Sequence, residues 1–363
     1  MATFRKFVPQ IEFHPGLTLS EKLEEMEMSV KEFALRTSKP EKTIFAVIGG
    51  NSSVTPDMAV AFESVTKIPA HFWLNKQRGY DEYIARKRRE EQLALDYEWV
   101  RTFPLTKMME LGWIPMVKTV EEKVKALLSF FQVSTERAWE DYYLNQQLKV
   151  AFRISLNNTK EPHAISAWLR QGEVQAAETE VCEFSEKALR EAIPAMKSLC
   201  AEHPADFAVA LQELCAKVGV KLVYTPCLPK APINGSTRWI NDAPCIQMTG
   251  RHKRNDIFWF TFFHELGHIL LHGKKDIFLE DIEYADKQKE KEEEADAFSS
   301  RTLLSQAEEN EIIRQGDFSA DTIRYYAEKF NVHPAIIVGR LQHRKVIPFT
   351  AHSTLIEKIE LFN

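Results

Sequence analysis

The stretch FFHELGHILLHG, residues 262–273, constrains the fold more than any other part of the chain. It is almost entirely apolar and has no helix breaker before Gly273, so we expect a buried helix that ends at a glycine cap. His264 and His268 are four residues apart and would project from one face of that helix. Two interpretations are open. The histidines bind a common partner such as a metal ion, or they are incidental residues of a core helix.

The spacing of these histidines is typical of a metal site. Two imidazoles one helical turn apart can reach a single zinc ion at ~2.0–2.1 Å each. Glu265 follows the first histidine and would lie beside the ion, where it can act as the general base toward a zinc-activated water. His272 lies one further turn along, and we expect it behind the ligands or at the helix end rather than on the ion.

A third ligand is expected from the acidic helix downstream. Residues 291–304, KEEEADAFSSRTLL, have helical apolar periodicity. Glu292 and Asp296 share one helical face, so one could bind the metal while the other holds a ligand histidine through its second ring nitrogen. We prefer Glu292 as the ligand and Asp296 as the residue behind it, with Glu294 as the alternative ligand. Glu293 is interpreted as a solvent-facing residue.

The N-terminal region is predicted to form five short helices. Each begins near Ser, Thr or Pro, and the third ends at the Gly49-Gly50 pair. The second and third helices, joined by a tight turn at residues 37–40, have helix-turn-helix dimensions. The alternative is a small helical interaction module, because residues 1–80 hold ten Lys/Arg against nine Asp/Glu. That balance predicts weak nonspecific affinity for DNA.

If this region reads DNA, five residues are the candidate contacts. The start of the third helix is where base edges are usually reached, and polar residues beyond its end could bind phosphate. The first group is Lys39, Lys42 and Thr43, and the second is Asn51 and Ser52.

The remaining pattern predicts a mainly α protein with a small β-sheet. We divide the chain into a five-helix helix-turn-helix domain (1–95), a helical connector (96–204) with no visible chemistry, and an α+β domain (205–363). In the last, residues 206–219 read as a helix, and residues 220–226 and 244–249 as strands. The strand at 244–249 is either an edge that could take an extended peptide by strand addition or an ordinary structural strand.

Composition excludes several classes of protein. No apolar run approaches the length needed to span a bilayer, and the first residues, MATFRKFVPQIEF, lack the apolar core of a signal peptide. Five cysteines form no CxxC pair, which favours reduced thiols. We therefore expect a cytoplasmic protein with no membrane partner. The formal net charge of −5 means that any DNA contact must come from a local surface.

HELGHILLHG followed by EEEADAF resembles the ImmA/IrrE family of zinc metallopeptidases, a branch of the gluzincins. The resemblance extends over about residues 205–345 and includes INGSTRW (233–239) and VHPAIIVGRLQH (332–343). It implies a zincin fold, Zn²⁺ as cofactor, His264, His268 and Glu292 as zinc ligands, and Glu265 as catalytic base. Tyr284, Arg238 and His333 are candidates for stabilising the oxyanion, and the sequence does not rank them.

KPEKTI, IGGNSSVTPDMA and IPAHFWLNKQRGYDE resemble the Cro/repressor-type DNA-binding domain of HigA-type antitoxins. Together the two resemblances give two hypotheses. In the first, a DNA-binding transcriptional regulator is fused to a zinc endopeptidase that cleaves a regulator or toxin partner. In the second, the protein is an antitoxin or repressor whose metal domain only senses or scaffolds. In both we expect a homodimer that binds its own promoter or operator.

Overall fold

The computed structural model describes residues 12–93, 97–148, 161–229, 231, 233–272, 278–279 and 286–362. The chain forms two compact units, Met1–Asp96 and Tyr97–Asn363, which are described separately. The predicted fold class is confirmed, since helices predominate and one small sheet is present. All five cysteines are free thiols. Among the described residues, no helix is both long and apolar enough to cross a membrane.

The first unit contains the five predicted helices. They are α1 (Pro15–Glu25), α2 (Val30–Arg36), α3 (Glu41–Ile48), α4 (Pro56–Thr66) and α5 (Ala70–Leu93). The Ser29 and Thr55 side chains accept hydrogen bonds from the first turns of α2 and α4, which explains where these helices begin. Gly49 caps the end of α3, and Gly50 follows with a positive φ of 72°.

A small aromatic core holds the five helices together. Phe62 lies between Phe33 and Trp73, with ring centroids 5.1 and 5.7 Å apart, and all three side chains are fully buried. Helix α1 crosses α3 at Gly16, where an added Cβ would lie 1.9 Å from the Val47 carbonyl oxygen. The α2–α3 pair is therefore fixed by packing on α1, α4 and α5, which leaves the outer face of α3 at the surface.

The second unit begins with helices that enclose an aromatic cluster. These are α6 (Tyr97–Thr102), α7 (Leu105–Glu110), α8 (Val120–Phe131) and α9 (Glu136–Trp139), which continues as a π-helix over Glu140–Leu148. Rings from these helices pack against one another, mostly edge to face, and the residues concerned are Trp99, Phe103, Phe131, Trp139 and Tyr143. Two longer helices follow, α10 (Pro162–Glu178) and α11 (Glu186–Glu202).

A four-stranded sheet forms the middle of the second unit. Its strands are β1 (Lys221–Tyr224), β2 (Gly235–Ile240), β3 (Ala243–Met248) and β4 (Phe278–Leu279), in the order β1-β3-β2-β4. β3 pairs in parallel with β1 and antiparallel with β2. The predicted strand at 244–249 is confirmed, and of its two interpretations the ordinary structural strand is correct and the edge strand is wrong. Both of its backbone edges are already hydrogen-bonded, so it cannot take a peptide by strand addition.

Helices cover both faces of this sheet. The next helices in the chain are α12 (Phe207–Lys217) and α13 (Asn255–Leu271). Helix α13 packs on the face of the sheet that carries Ile246 and Met248. On the opposite face, the Gln247 amide donates a hydrogen bond of 2.7 Å to the Trp168 carbonyl of α10. The helical segment before residue 205 thus supplies one layer of the sheet's packing.

Four helices complete the unit: α14 (Asp286–Leu303), α15 (Gln306–Gln315), α16 (Ala320–Phe330) and α17 (Pro334–His343). Helix α13 ends at Leu271 with His272 as its cap residue, whereas the predicted cap Gly273 lies outside the described residues. Gly267 of α13 faces Ala295 of α14, where an added Cβ would lie 3.3 Å from the Ala295 Cα. These two small residues bring the HELGH helix and the acidic helix close together.

Candidate functional site

Three of the predicted metal ligands converge between α13 and α14. The Nε2 atoms of His264 and His268 are 2.9 Å apart. The Glu292 carboxylate lies 3.1 Å from His264 Nε2 and 3.6 Å from His268 Nε2. Within the described part of the chain, this is the group of three donor atoms that could hold a metal ion, all within 4.8 Å of one another.

The donor set fits a zinc ion. Tetrahedral coordination at ~2.0–2.1 Å would place two ligand nitrogens about 3.3 Å apart. The His264 and His268 nitrogens are only a few tenths of an ångström closer than that, at 2.9 Å. The second oxygen of Glu292 is buried and makes no hydrogen bond to any described residue. Two histidine nitrogens and one carboxylate oxygen are also a ligand set found in catalytic zinc sites.

The second ring nitrogen of each histidine, Nδ1, has a hydrogen-bonding partner outside the cluster. His264 Nδ1 lies 2.8 Å from the Asp296 carboxylate, which accepts its N–H and leaves Nε2 with a lone pair toward the cluster. His268 Nδ1 lies 2.9 Å from His272 Nδ1, and His272 Nε2 lies 3.0 Å from Glu294. One assignment of protons satisfies both of these hydrogen bonds: His268 Nδ1–H donates to His272 Nδ1, and His272 Nε2–H donates to Glu294.

Burial sets the charge state of the cluster. His264 and His268 are each 2% exposed, and Glu265 is fully buried. Burial lowers the pKa of His268 to about 4, so its imidazole is neutral near pH 7, as a metal ligand must be. Burial by itself would raise the pKa of Glu292, but the two histidines beside its carboxylate lower that pKa to about 2. The site therefore presents a neutral His268 imidazole and an ionised Glu292 carboxylate.

Strand β2 positions Glu265. The Thr237 hydroxyl donates a hydrogen bond of 3.0 Å to the Glu265 carbonyl, which ties α13 to the strand. The backbone at Gly235 passes so close that an added Cβ would lie 2.7 Å from Glu265 Oε1 and 2.7 Å from Thr261 Cγ2. Sequence reasoning missed both contacts. The signal that could have indicated them is the Asn234-Gly235 pair before a polar strand, because a glycine in a strand often marks a close backbone approach.

The other candidate residues fall into separate places. Glu294 bonds to His272 rather than to the cluster, and Glu293 is exposed. Arg238 lies on the opposite face of β2 from Thr237, where it pairs with Glu173, so it cannot reach an oxyanion beside Glu265. His333 caps α17 and lies 3.5 Å from Glu357, which removes it from the site as well. Tyr284 lies outside the described residues.

The candidate DNA contacts lie at the two ends of α3. Lys42 is the second residue of α3 and is exposed, whereas Lys39 and Thr43 near it are half-buried. Asn51 is exposed and Ser52 half-buried beyond the C-terminal end. Eight helical residues span about 12 Å, so the two groups do not form one cluster.

Fold and site together define a mainly helical protein with a helix-turn-helix unit and a buried His-His-Glu centre beside a carboxylate. Residues 215–342 match the model of the Peptidase_M78 family, the IrrE N-terminal-like domain. The N-terminal region is similar to an uncharacterized HTH-type transcriptional regulator of Escherichia coli, YddM, with 30% identity over 73 residues, 20% of this chain and 78% of the relative. The chain therefore belongs to the HTH-type transcriptional regulators by its N-terminal region and carries a Peptidase_M78 domain in its C-terminal region.

Two solved structures are also similar to a part of the chain. One is an addiction module antidote protein of the HigA family from Coxiella burnetii, with 28% identity, 24% of this chain and 96% of that chain covered, and a TM-score of 0.22. The other is PA4674 of Pseudomonas aeruginosa in complex with its operator DNA, with 24% identity, 21% of this chain and 84% of that chain covered, and a TM-score of 0.21.

Proposed function

We propose that the protein is a DNA-binding transcriptional regulator fused to a zinc-dependent endopeptidase that cleaves a regulator or toxin partner. The three-part division at residues 95 and 204 belongs to the same proposal. The observation that carries the peptidase half is the convergence of His264, His268 and Glu292 within 4.8 Å of one another. Glu265, adjacent to the first ligand in sequence, adds a buried carboxylate that a purely structural metal site would not need.

In this proposal each residue has one role. His264, His268 and Glu292 hold Zn²⁺, which when bound would polarise a peptide carbonyl and lower the pKa of a water molecule. Asp296 keeps His264 in the tautomer that presents Nε2 to the ion. Glu265 takes a proton from the attacking water and passes it to the amine that leaves when the peptide C–N bond breaks.

Replacing Glu265 by glutamine tests the peptidase half. Glu265→Gln removes the base and keeps the shape, so the variant should retain zinc and lose proteolysis. Full-length protein would be incubated with a lysate of the host cell, and new peptide N-termini would be counted by chemical labelling. Cleavages made by the wild type and absent with Glu265→Gln support the proposal. Equal cleavage by both proteins, or none by the zinc-loaded wild type, contradicts it.

The DNA-binding half is supported by the α2–α3 pair and by the regulator family to which the N-terminal region belongs. Lys42 is exposed at the start of α3, where a cation could contact a base edge or a phosphate. We propose that the protein binds its own promoter as a homodimer, with half-sites about one helical turn apart.

A gel-shift titration of the full-length protein on its own upstream DNA tests this half. Lys42→Ala should weaken binding and reduce the dependence of affinity on salt, because one cation leaves the interface. Lys67→Ala is the matched control, since Lys67 is also exposed but lies at the end of α4. Absence of any shift at modest salt would favour the interaction-module alternative.

One observation favours the second hypothesis, a regulator whose metal domain senses or scaffolds. His264, Glu265 and His268 are between 0 and 2% exposed, as in a metal site built into a core. A sensor needs the metal and has no need of an open cleft. Under this hypothesis DNA affinity would change on zinc removal, and Glu265→Gln would leave that change unaltered.

A further inference from the structure

The outward face of α3 carries an exposed aromatic ring. The helix buries Ile44 and Val47 against the core of the first unit, and Phe45 lies on the other side with 55% of its surface exposed. No ring of the described residues stacks on it, and it is not part of the core cluster of its unit. The ring therefore makes no visible contribution to holding the five helices together.

The rest of this outward face offers few hydrogen-bonding groups. One turn before Phe45 stands Lys42, and one turn after it stands Gly49. Ala46 lies beside the ring and has no polar atom in its side chain. Of the side chains that can read bases by hydrogen bonds, α3 has Glu41, Lys42 and Thr43 in its first turn, and it has no Arg, Asn or Gln beside Phe45. Small residues at 46 and 49 would instead allow the backbone to approach a surface closely.

In the major groove, the apolar feature of a base pair is the thymine 5-methyl group. An exposed phenylalanine between a cation and two small residues matches that feature. We propose that Phe45 determines sequence specificity by packing its ring on a thymine methyl in each half-site, while Lys42 supplies the contact to phosphate or to a purine. This inference rests on the proposed DNA-binding function.

A second copy of the chain is the alternative binding partner of the Phe45 ring. Half-sites one helical turn apart separate the two recognition helices of a dimer by about 34 Å. Each α3 then faces its own stretch of major groove and cannot pack its outer face on the other copy. The geometry of a helix-turn-helix dimer thus favours DNA over protein as the partner of Phe45.

Thymine-to-uracil substitution tests the methyl contact directly, because uracil lacks only the 5-methyl group. Duplexes that the full-length protein retains from a random library would be sequenced, and each thymine of the selected site replaced by deoxyuridine in turn. Affinity would be measured for the wild type, Phe45→Ala, Phe45→Leu and Val60→Ala. Val60 is the matched control, being 60% exposed and apolar but on α4.

For the wild type, uracil at one position of a half-site should weaken binding about fourfold, the value of one buried methyl group. Phe45→Ala should bind the thymine site roughly tenfold more weakly, counting both half-sites, and should not distinguish thymine from uracil. Phe45→Leu should keep part of the discrimination. Val60→Ala should behave as the wild type. Unchanged melting temperatures would show that the variants remain folded.

Two results would overturn the inference. If Phe45→Ala binds DNA and still discriminates thymine from uracil as strongly as the wild type, the ring does not read the methyl, although the proposed DNA binding stands. If the wild-type protein retains no duplex from the library, the DNA-binding function and the role of Phe45 fall together. A change of oligomeric state in Phe45→Ala, with discrimination intact, would assign the ring to a contact between copies.

Discussion

At the scale of single residues, a glycine controls the position of the proposed base. Gly235 lets strand β2 pass so close to Glu265 that an added Cβ would lie 2.7 Å from its carboxylate. The far end of the glutamate can move away, so Gly235→Ala should displace the carboxylate without touching the three ligands. We expect zinc content to stay at the wild-type level and peptidase activity to fall by at least tenfold, roughly the 1.4 kcal/mol that one misplaced group can cost.

The control for this variant lies next to it. Ser236 points to the opposite face of β2, is fully buried and makes no hydrogen bond to any described residue. Ser236→Ala should therefore keep both zinc and activity. If Gly235→Ala is as active as Ser236→Ala, the close approach has no bearing on the chemistry of Glu265.

The residues behind the ligands allow a second prediction. Asp296 lies 2.8 Å from His264 Nδ1, and a neutral amide there accepts the N–H less strongly than a carboxylate. Asp296→Asn should weaken zinc binding by about 10–100-fold, measured by competition with a chelating dye. Glu293→Ala, at an exposed position of the same helix, should have no effect. Equal affinities for the two variants would remove Asp296 from the site.

At the scale of elements, sequence reasoning succeeded where a periodic pattern was long. The five N-terminal helices, α13 and α14 follow from apolar spacing and caps, and the pairing of Glu292 with Asp296 follows from helical period alone. Strand β2 was not predicted, because Gly235–Ile240 reads GSTRWI and has no simple alternation. The sequence also left open whether β3 is an edge strand or an interior strand, since strand order depends on contacts between segments distant in sequence.

The environment of a histidine in helix α10 leads to a third prediction, on how the stability of the protein depends on pH. His163 stacks on Trp139 with centroids 4.7 Å apart, and burial lowers its pKa to about 4. A lowered pKa in the folded state means that the unfolded chain binds the proton more tightly. Stability is then fully present above pH 6.5 and is lost as pH falls from 6.5 toward 4, by of the order of 2 kcal/mol once solvent screening of the partly exposed ring is allowed for.

Urea unfolding of the protein between pH 7.5 and pH 4.5 measures this effect. His163→Gln should unfold at lower urea throughout, because the stacked ring is lost, but the steepness of its pH dependence should decrease. The slope against pH is the informative quantity, since a loss of packing alone would leave it unchanged. A variant with the wild-type slope would show that His163 does not titrate with unfolding.

At the scale of the whole molecule, the chain consists of two compact units with separate cores. The proposed metal centre lies wholly within the second unit, between α13 and α14. A metal that binds only the folded state stabilises that state by mass action. Removing zinc with a chelator should therefore lower the melting temperature of the transition that belongs to Tyr97–Asn363, followed by calorimetry. The transition of Met1–Asp96 should not move.

At this scale, the sequence could not show how completely the ligand side chains of the site are covered. Motif spacing identified the residues that meet at the metal centre, because helical geometry fixes their relative positions. The apolar run predicted that α13 is buried, but the 2% exposure of His264 and His268 also depends on how the sheet and α14 cover that helix, which motif spacing does not give.

The zinc content of the purified full-length protein and of two glutamate variants tests the central claim most directly. Elemental analysis should find one zinc per chain in the wild type, because two neutral imidazoles and a carboxylate hold the ion. Glu292→Ala should lose it, whereas Glu294→Ala, which only disturbs the partner of His272, should retain it. Zinc retained in Glu292→Ala and lost in Glu294→Ala would contradict the ligand assignment, and a wild-type protein without zinc would contradict the metal centre itself.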